Sequence, residues 1–134
     1  MRVFIDSNVP MYVAGRDHPL REPARRFLER IRAGELEGCT STEVLQEILY
    51  RYFALHRLDL ARQVYDLFVQ LCPVVFPVTL ADTDRAKQLI CSGTGAGVRD
   101  AIHAAVMINN DILEIATFDT GFDAIPEIRR LSLA

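Results

Sequence analysis

A chain of 134 residues, half of them hydrophobic and a quarter charged, has the size and balance of one globular domain, 1–134, that folds without staples. Its net charge of −3 excludes binding of nucleic acid through overall positive charge, so action on RNA would need bound metal and local arginines. Cys39, Cys72 and Cys91 are scattered and odd in number, which excludes a disulfide framework and zinc-ligand spacing and predicts small buried thiols in a reducing compartment.

The chain opens Met1-Arg2-Val3-Phe4-Ile5-Asp6, too short and too soon charged for a signal peptide. No apolar run approaches the ~20 residues of a membrane span, so a soluble, cytoplasmic protein with no membrane partner is expected. Val3-Phe4-Ile5 is an apolar, β-type run of the kind buried in parallel sheets. Asp6-Ser7-Asn8 then supplies helix-starting residues, and Val9 to Val13 reads as a short helix. Asp6 therefore stands where a strand hands over to a helix.

From Leu20 to Arg32, the apolar residues Leu20, Ala24, Phe27, Leu28 and Ile31 recur at helical spacing, and Gly34 supplies a stop. Glu22–Arg26 and Arg25–Glu29 have the spacing of ion pairs, so this arginine-rich face reads equally as self-paired or as a phosphate-binding surface. Cys39-Thr40-Ser41 leads into a helix from about Thr42 to Leu55, with Val44, Leu45, Ile48, Leu49, Tyr52 and Phe53 on its buried side. Another helix, about Asp59 to Leu71, carries Leu60, Val64, Leu67, Phe68 and Leu71 on one face. Pro73 to Val78 is a strand bounded by prolines. Thr79 to Ile90 is helical, with Asp82 or Thr83 near its start.

Ser92 to Gly97 lacks the P-loop lysine and follows a helix, so it reads as a hinge or loop. Val98 to Ile108 is a helix apolar nearly all round, which predicts deep burial. Ile112 to Thr117 is a strand ending at Phe118-Asp119, and Ile128 to Leu133 is a final short strand. Strands alternating with helices predict an α/β layer fold around a mainly parallel sheet.

In such folds ligands sit outside the carboxyl ends of the strands. Topology places Asp6 and Asp119 there. Asp100 opens the most apolar helix, and Glu47 lies among Leu45, Ile48 and Leu49. Each has a structural reading as well. Asp6 could be a helix cap, Asp100 a charge complementing the helix dipole, Asp119 a turn residue and Glu47 an exposed helical glutamate. Gathered together, the four would repel, and a divalent cation with hard oxygen ligands, Mg²⁺ or Mn²⁺, would remove that cost. A metal so held can polarise a phosphoryl oxygen and supply hydroxide near neutral pH.

The residues also carry a resemblance. Ile5-Asp6-Ser7-Asn8, Ser41 to Leu49, Arg99-Asp100-Ala101-Ile102-His103-Ala104-Ala105 and Ala116-Thr117-Phe118-Asp119-Thr120-Gly121-Phe122 resemble, in order, the motifs of the PIN domain. In size the chain is similar to the VapC-type toxins of toxin–antitoxin pairs. The resemblance implies a PIN-like three-layer α/β/α sandwich and a Mg²⁺- or Mn²⁺-dependent endoribonuclease. It implies an RNA substrate, an antitoxin partner and a homodimer. It makes Asp6, Glu47, Asp100 and Asp119 the acidic set, with Asp6, Asp100 and Asp119 toward the metal and Asn8 and Thr117 as polar supports. Glu43 stands one helical turn before Glu47 and competes for its role. Asp123 competes with Asp119. His103, three residues after Asp100, reads as a buried hydrogen-bonded histidine or as a catalytic or metal-binding one.

Two other readings stay open on the sequence. One is a PIN nuclease of RNA processing or decay that has no antitoxin. The other is a non-enzymatic α/β binding module, in which the four acids are scattered caps.

Overall fold

The computed structural model describes residues 1–133. Its elements are β1 (Arg2–Ile5), α1 (Asn8–Ala14), α2 (Arg21–Arg32), β2 (Glu37–Ser41), α3 (Thr42–Ala54), α4 (Leu58–Leu71), β3 (Val74–Phe76), α5 (Leu80–Cys91), α6 (Val98–Asn109), β4 (Glu114–Ala116) and β5 (Arg129–Arg130), with a 3₁₀ turn at Thr120–Ala124. The strands form one sheet in the order β3-β2-β1-β4-β5, and every pairing is parallel. Helices α1 to α4 pack among themselves and α5 packs with α6, giving a three-layer α/β/α sandwich.

β1 lies in the middle because its residues suit burial on both faces: Val3, Phe4 and Ile5 are wholly inaccessible. Its neighbours are β2 on one side and β4 on the other, so strand order reverses beside β1. That reversal opens a crevice at the carboxyl ends of β1 and β4.

β2 is the element that the sequence reading did not foresee. Glu37-Gly38-Cys39-Thr40-Ser41 lacks a β-branched apolar run, and its glycine lies in a tight place between β1 and β3. A Cβ at Gly38 would come within 2.9 Å of Ile5 Cδ1 and 3.3 Å of Ile31 Cγ2. Side chains of β1 and α2 thus close over Gly38 and leave little room for one of its own.

The buried faces of two helices are narrower than expected. In α3 the buried stripe is Val44, Leu45, Ile48 and Tyr52, while Leu49 and Phe53 are exposed. In α4 it is Ala61, Val64 and Phe68, with Leu67 exposed and Leu60 and Leu71 partly covered. Each helix meets its neighbours along one side only, and an apolar residue further round the helix stays in solvent. Helix α6 is buried along most of its length, including Ala101 and the run His103 to Met107.

The arginines of α2 pair with other partners than the Glu22–Arg26 and Arg25–Glu29 pairs expected from the sequence. Arg25 binds Glu22, Arg21 binds Asp17 and Arg30 binds Glu35. Cys39 and Cys72 are buried thiols whose pKa values burial pushes up to about 12, whereas Cys91 is exposed. No helix among the described residues is long and apolar enough to cross a membrane.

Candidate metal centre

Four separate segments bring acidic residues to the crevice. Asp6 directly succeeds β1. Glu47 lies in the second turn of α3, which leaves the carboxyl end of β2. Helix α6 leads into β4 and so runs back along the sheet, which puts its first turn, with Asp100, at the same edge. Asp119 comes shortly after β4 and caps the 3₁₀ turn, accepting the Gly121 N–H at 2.8 Å.

Asp6 is 6 % exposed and heavily bonded. Its Oδ1 accepts the Ser7 N–H at 2.7 Å, and its Oδ2 accepts the Thr117 hydroxyl at 2.8 Å. The Thr117 oxygen in turn accepts the Asn8 side-chain amide at 3.0 Å and the Asp119 N–H at 3.0 Å. Thr117 thus uses its one donor and both lone pairs. Asn8 also accepts the Phe118 N–H at 3.4 Å. The ends of β1 and β4 are locked together through these two side chains, and the Asp6 carboxylate is held in one orientation.

Glu47 is fixed from two sides. Its Oε2 accepts the Ser7 hydroxyl at 3.2 Å, and its Oε1 takes a short hydrogen bond from His103 Nε2. The Arg99 guanidinium stands 3.8 Å from Oε2. His103 itself is fully buried, near Phe4 and Phe122, with Nε2 3.9 Å from Asp6. Its Nδ1 has no hydrogen-bond partner among the described residues. Asp6, Glu47 and His103 each offer a ligand atom, and these atoms lie within 4.8 Å of one another.

Asp100 and Asp119 make the other half of the crevice. They flank Gly121: the place where a Cβ would stand is 2.7 Å from Asp100 Oδ2 and 3.1 Å from Asp119 Oδ1. Asp100 is half-buried and Asp119 exposed. Glu43 lines the same groove as Glu47 but makes no side-chain bond within the described residues. Asp123 is exposed and held by Arg130 through two bonds of 2.8 and 2.9 Å, which also lower its pKa. Ser7 and Gly121 had no assigned role in the sequence reading, because both act through tertiary contacts that motif spacing does not encode.

The crowding is written in the proton affinities. Burial first, then the charges of Asp119 and Asp6, push the Asp100 carboxyl up to about 6; His103 opposes and Glu47 adds. Burial likewise raises Asp6, against the pull of His103 and the Thr117 bond. For His103, burial works to lower the pKa. Its bond to Glu47 and the charges of Asp6, Glu47 and Asp100 together outweigh burial and leave the pKa raised.

An oxygen-rich set whose members repel one another fits a hard divalent cation such as Mg²⁺ or Mn²⁺. Asp6, Asp100 and Asp119 are the residues that would hold it directly or through water, with Glu47 beside them. The orientation of Asp6 by Ser7 and Thr117 suits that use, since a carboxylate fixed in advance binds without reordering.

The PIN-domain family matches residues 3–128. The chain belongs to the PIN-domain family. Among curated PIN relatives, it is 37% identical over 130 residues to Ribonuclease VapC13 of Mycobacterium tuberculosis, covering 97% of this chain and 99% of that one. It is 38% identical over 117 residues to Ribonuclease VapC23 of the same species, covering 87% and 92%. Among solved structures, VapBC2 from Rickettsia felis, bound to a promoter DNA fragment, superposes with a TM-score of 0.76 at 19% identity, covering 98% of each chain. VapC20 of M. tuberculosis, a toxin that cleaves the sarcin–ricin loop, superposes at 0.75 and 20% identity, covering 92% of this chain and 95% of that one. These superpositions bear out the PIN fold read from the motifs.

Proposed function

We propose that this PIN domain is a Mg²⁺- or Mn²⁺-dependent endoribonuclease and the toxin of a toxin–antitoxin pair. The observation that carries the reading is the meeting of Asp6, Glu47, Asp100 and Asp119 at the carboxyl edge of a parallel sheet, in a chain whose curated relatives are named ribonucleases. Scattered caps would not add their charges to burial in raising Asp100, as Asp119, Asp6 and, least, Glu47 do. That mutual influence speaks against a binding module in which the acids are unrelated.

When bound, the divalent ion would supply charge for a phosphoryl oxygen and acidify a water. The chain's residues have separate tasks. Ser7, Asn8 and Thr117 fix the Asp6 carboxylate. His103 and Ser7 hold both oxygens of Glu47, leaving lone pairs that can accept from a nucleophilic water. Asp119, on the open side, can accept from water or meet the substrate. Arg99, with its side chain 70 % exposed beside Glu47, is placed to meet an RNA phosphate.

Supporting an antitoxin partner, several neighbours of the same fold were solved as toxin–antitoxin complexes, among them one from Klebsiella pneumoniae with a TM-score of 0.71. To this reading belong a homodimer, which the resemblance implies, and the single domain over 1–134 and cytoplasmic site of action expected from length and composition. Cleavage of total cellular RNA in Mn²⁺ or Mg²⁺ tests the central claim, with EDTA and an Asp6→Asn variant alongside. Metal-dependent cleavage that disappears in the variant supports it. Cleavage unaffected by both EDTA and the substitution sinks it. Co-purification of a small protein encoded beside the gene, relieving the cleavage, tests the toxin reading.

A further inference from the structure

Helix α1 sets Asn8 and Tyr12 one turn apart on the same face. Asn8 Oδ1 accepts the Phe118 N–H at 3.4 Å, and the Tyr12 ring meets the Phe118 ring edge-on, with centroids 5.4 Å apart. Beyond α1 the chain turns back, and His18 lays its ring against Tyr12 at 4.7 Å. Three rings thus lead from Phe118, which stands between Thr117 and Asp119 at the acidic crevice, out to the surface. His18 is exposed but fixed: its Nδ1 accepts the Leu20 N–H at 3.1 Å, and its carbonyl accepts the Arg21 N–H at 3.0 Å. A ring already held in place can take a further partner at little cost in freedom.

Beside His18 opens a pocket of about 500 Å³, lined by Asp17, His18, Pro19, Arg21, Glu22 and Arg25. That volume is within the range of sites for small organic groups. The two arginines differ. Arg25 gives its Nε and Nη2 to Glu22, whereas Arg21 gives only Nη1 to Asp17. The Nε–H and Nη2–H of Arg21 therefore have no partner among the described residues and form a fork of two coplanar donors. Such a fork fits O6 and N7 of guanine. Adenine turns one of these acceptors into a donor, and the pyrimidines have no N7. We propose, on the ribonuclease reading, that this pocket selects a guanine beside the bond to be cut, with the base stacked on His18 as a fourth ring and its O6–N7 edge read by Arg21. Another base could fill the space but would leave the fork unpaired, and an unpaired donor set is what rejects a wrong substrate.

The test cleaves a pool of random-sequence RNA in Mn²⁺ and sequences the new ends. The unmodified protein should show guanine enriched on the order of tenfold at one position beside the cut, the scale of one bidentate arginine–guanine contact. Arg21→Lys keeps the charge but not the fork, and should level the bases at that position. His18→Ala should level them too and raise KM, because the base loses its platform. His18→Phe keeps a ring and should restore the enrichment. Mn²⁺ affinity, measured by calorimetry without RNA, should be the same in the unmodified protein and in every variant, since neither side chain bonds to the acidic crevice. Circular dichroism checks that each variant is folded.

Equal guanine enrichment in the unmodified protein, Arg21→Lys and His18→Ala would overturn the proposal. So would cleavage by the unmodified protein with no preference for guanine at any position beside the cut. Either result leaves a metal-dependent nuclease that chooses its bond by other residues. Absence of cleavage in both Mn²⁺ and Mg²⁺ would remove the ribonuclease reading, and the guanine pocket with it.

Discussion

Gly121 presses its backbone against Asp100: a Cβ built on the glycine would stand 2.7 Å from Asp100 Oδ2, well inside van der Waals contact. The same point is 3.1 Å from Asp119 Oδ1, and the Gly121 N–H binds that oxygen. Only hydrogen fits between the two carboxylates. Gly121→Ala should leave the fold intact, because Asp100 can swing away. It should also displace the carboxylate from its working position. Mn²⁺ affinity, read by calorimetry, is expected to fall by roughly 10–100-fold, the range seen when the support of a ligand is lost. Unchanged affinity would show that Asp100 is not needed where it now stands.

Asp100→Asn should remove cleavage and, without metal, make the protein more stable. A carboxyl with its pKa raised by folding binds its proton more tightly in the folded state. Its stabilising effect is therefore complete below about pH 4 and is lost as pH rises through about 6. Asp6 is shifted in the same direction and acts alike. The metal-free parent should lose stability between pH 4 and 7, and Asp100→Asn should lose less. At pH 7 the variant should gain about 1 kcal/mol, a figure kept small by solvent screening at a half-buried side chain. Urea denaturation in EDTA at several pH values measures both curves; parallel curves would contradict the coupling.

Thr117→Val keeps the shape of the side chain and deletes the hydroxyl that donates to Asp6 and accepts from Asn8 and Asp119. Asp6, the buried partner, then loses that bond, at a cost of roughly 1–3 kcal/mol. Mn²⁺ binding should weaken as well, since Asp6 loses its fixed orientation. Thr117→Ser, which retains the hydroxyl, should recover most of the metal affinity. Equal weakening in both variants would point to lost packing as the cause.

His103→Phe fills the space near Phe4 and Phe122 but takes the donor from Glu47. Stability is expected to change little or fall by about 1–3 kcal/mol, while cleavage falls much further. His103→Gln, which offers an N–H at a similar reach, should regain part of the rate. Full activity in the phenylalanine variant would mean that Glu47 needs no such anchor.

Asp6 and Asp119 could be found from strand ends alone, because a parallel sheet brings the carboxyl ends of all its strands to one edge. Asp100 was legible as the first acid of a helix too apolar to be exposed. Glu47 was not: helical spacing fits Glu43 as well, and only resemblance favoured the later residue. In the fold it is Glu47 that reaches Ser7 and His103. β2 escaped notice because Gly38, closed over by Ile5 and Ile31, carries no strand propensity. Phe53 and Leu49 misled for the opposite reason. They are apolar, yet nothing among the described residues covers them on that side of α3.

Asp6 sits at the end of the first strand, and the threonine that orients it lies beyond the fourth. During synthesis, β1 and the helices after it exist long before Thr117 and Asp119 leave the ribosome. Until then the central strand has no β4 beside it, and Asp6 has neither its hydroxyl partner nor its companion acid. Parallel pairing of segments so distant in the chain is a late event in folding. Under the proposed function, the growing chain is harmless to the transcript from which it is being read, and becomes able to cut only after Thr117 and Asp119 have joined Asp6.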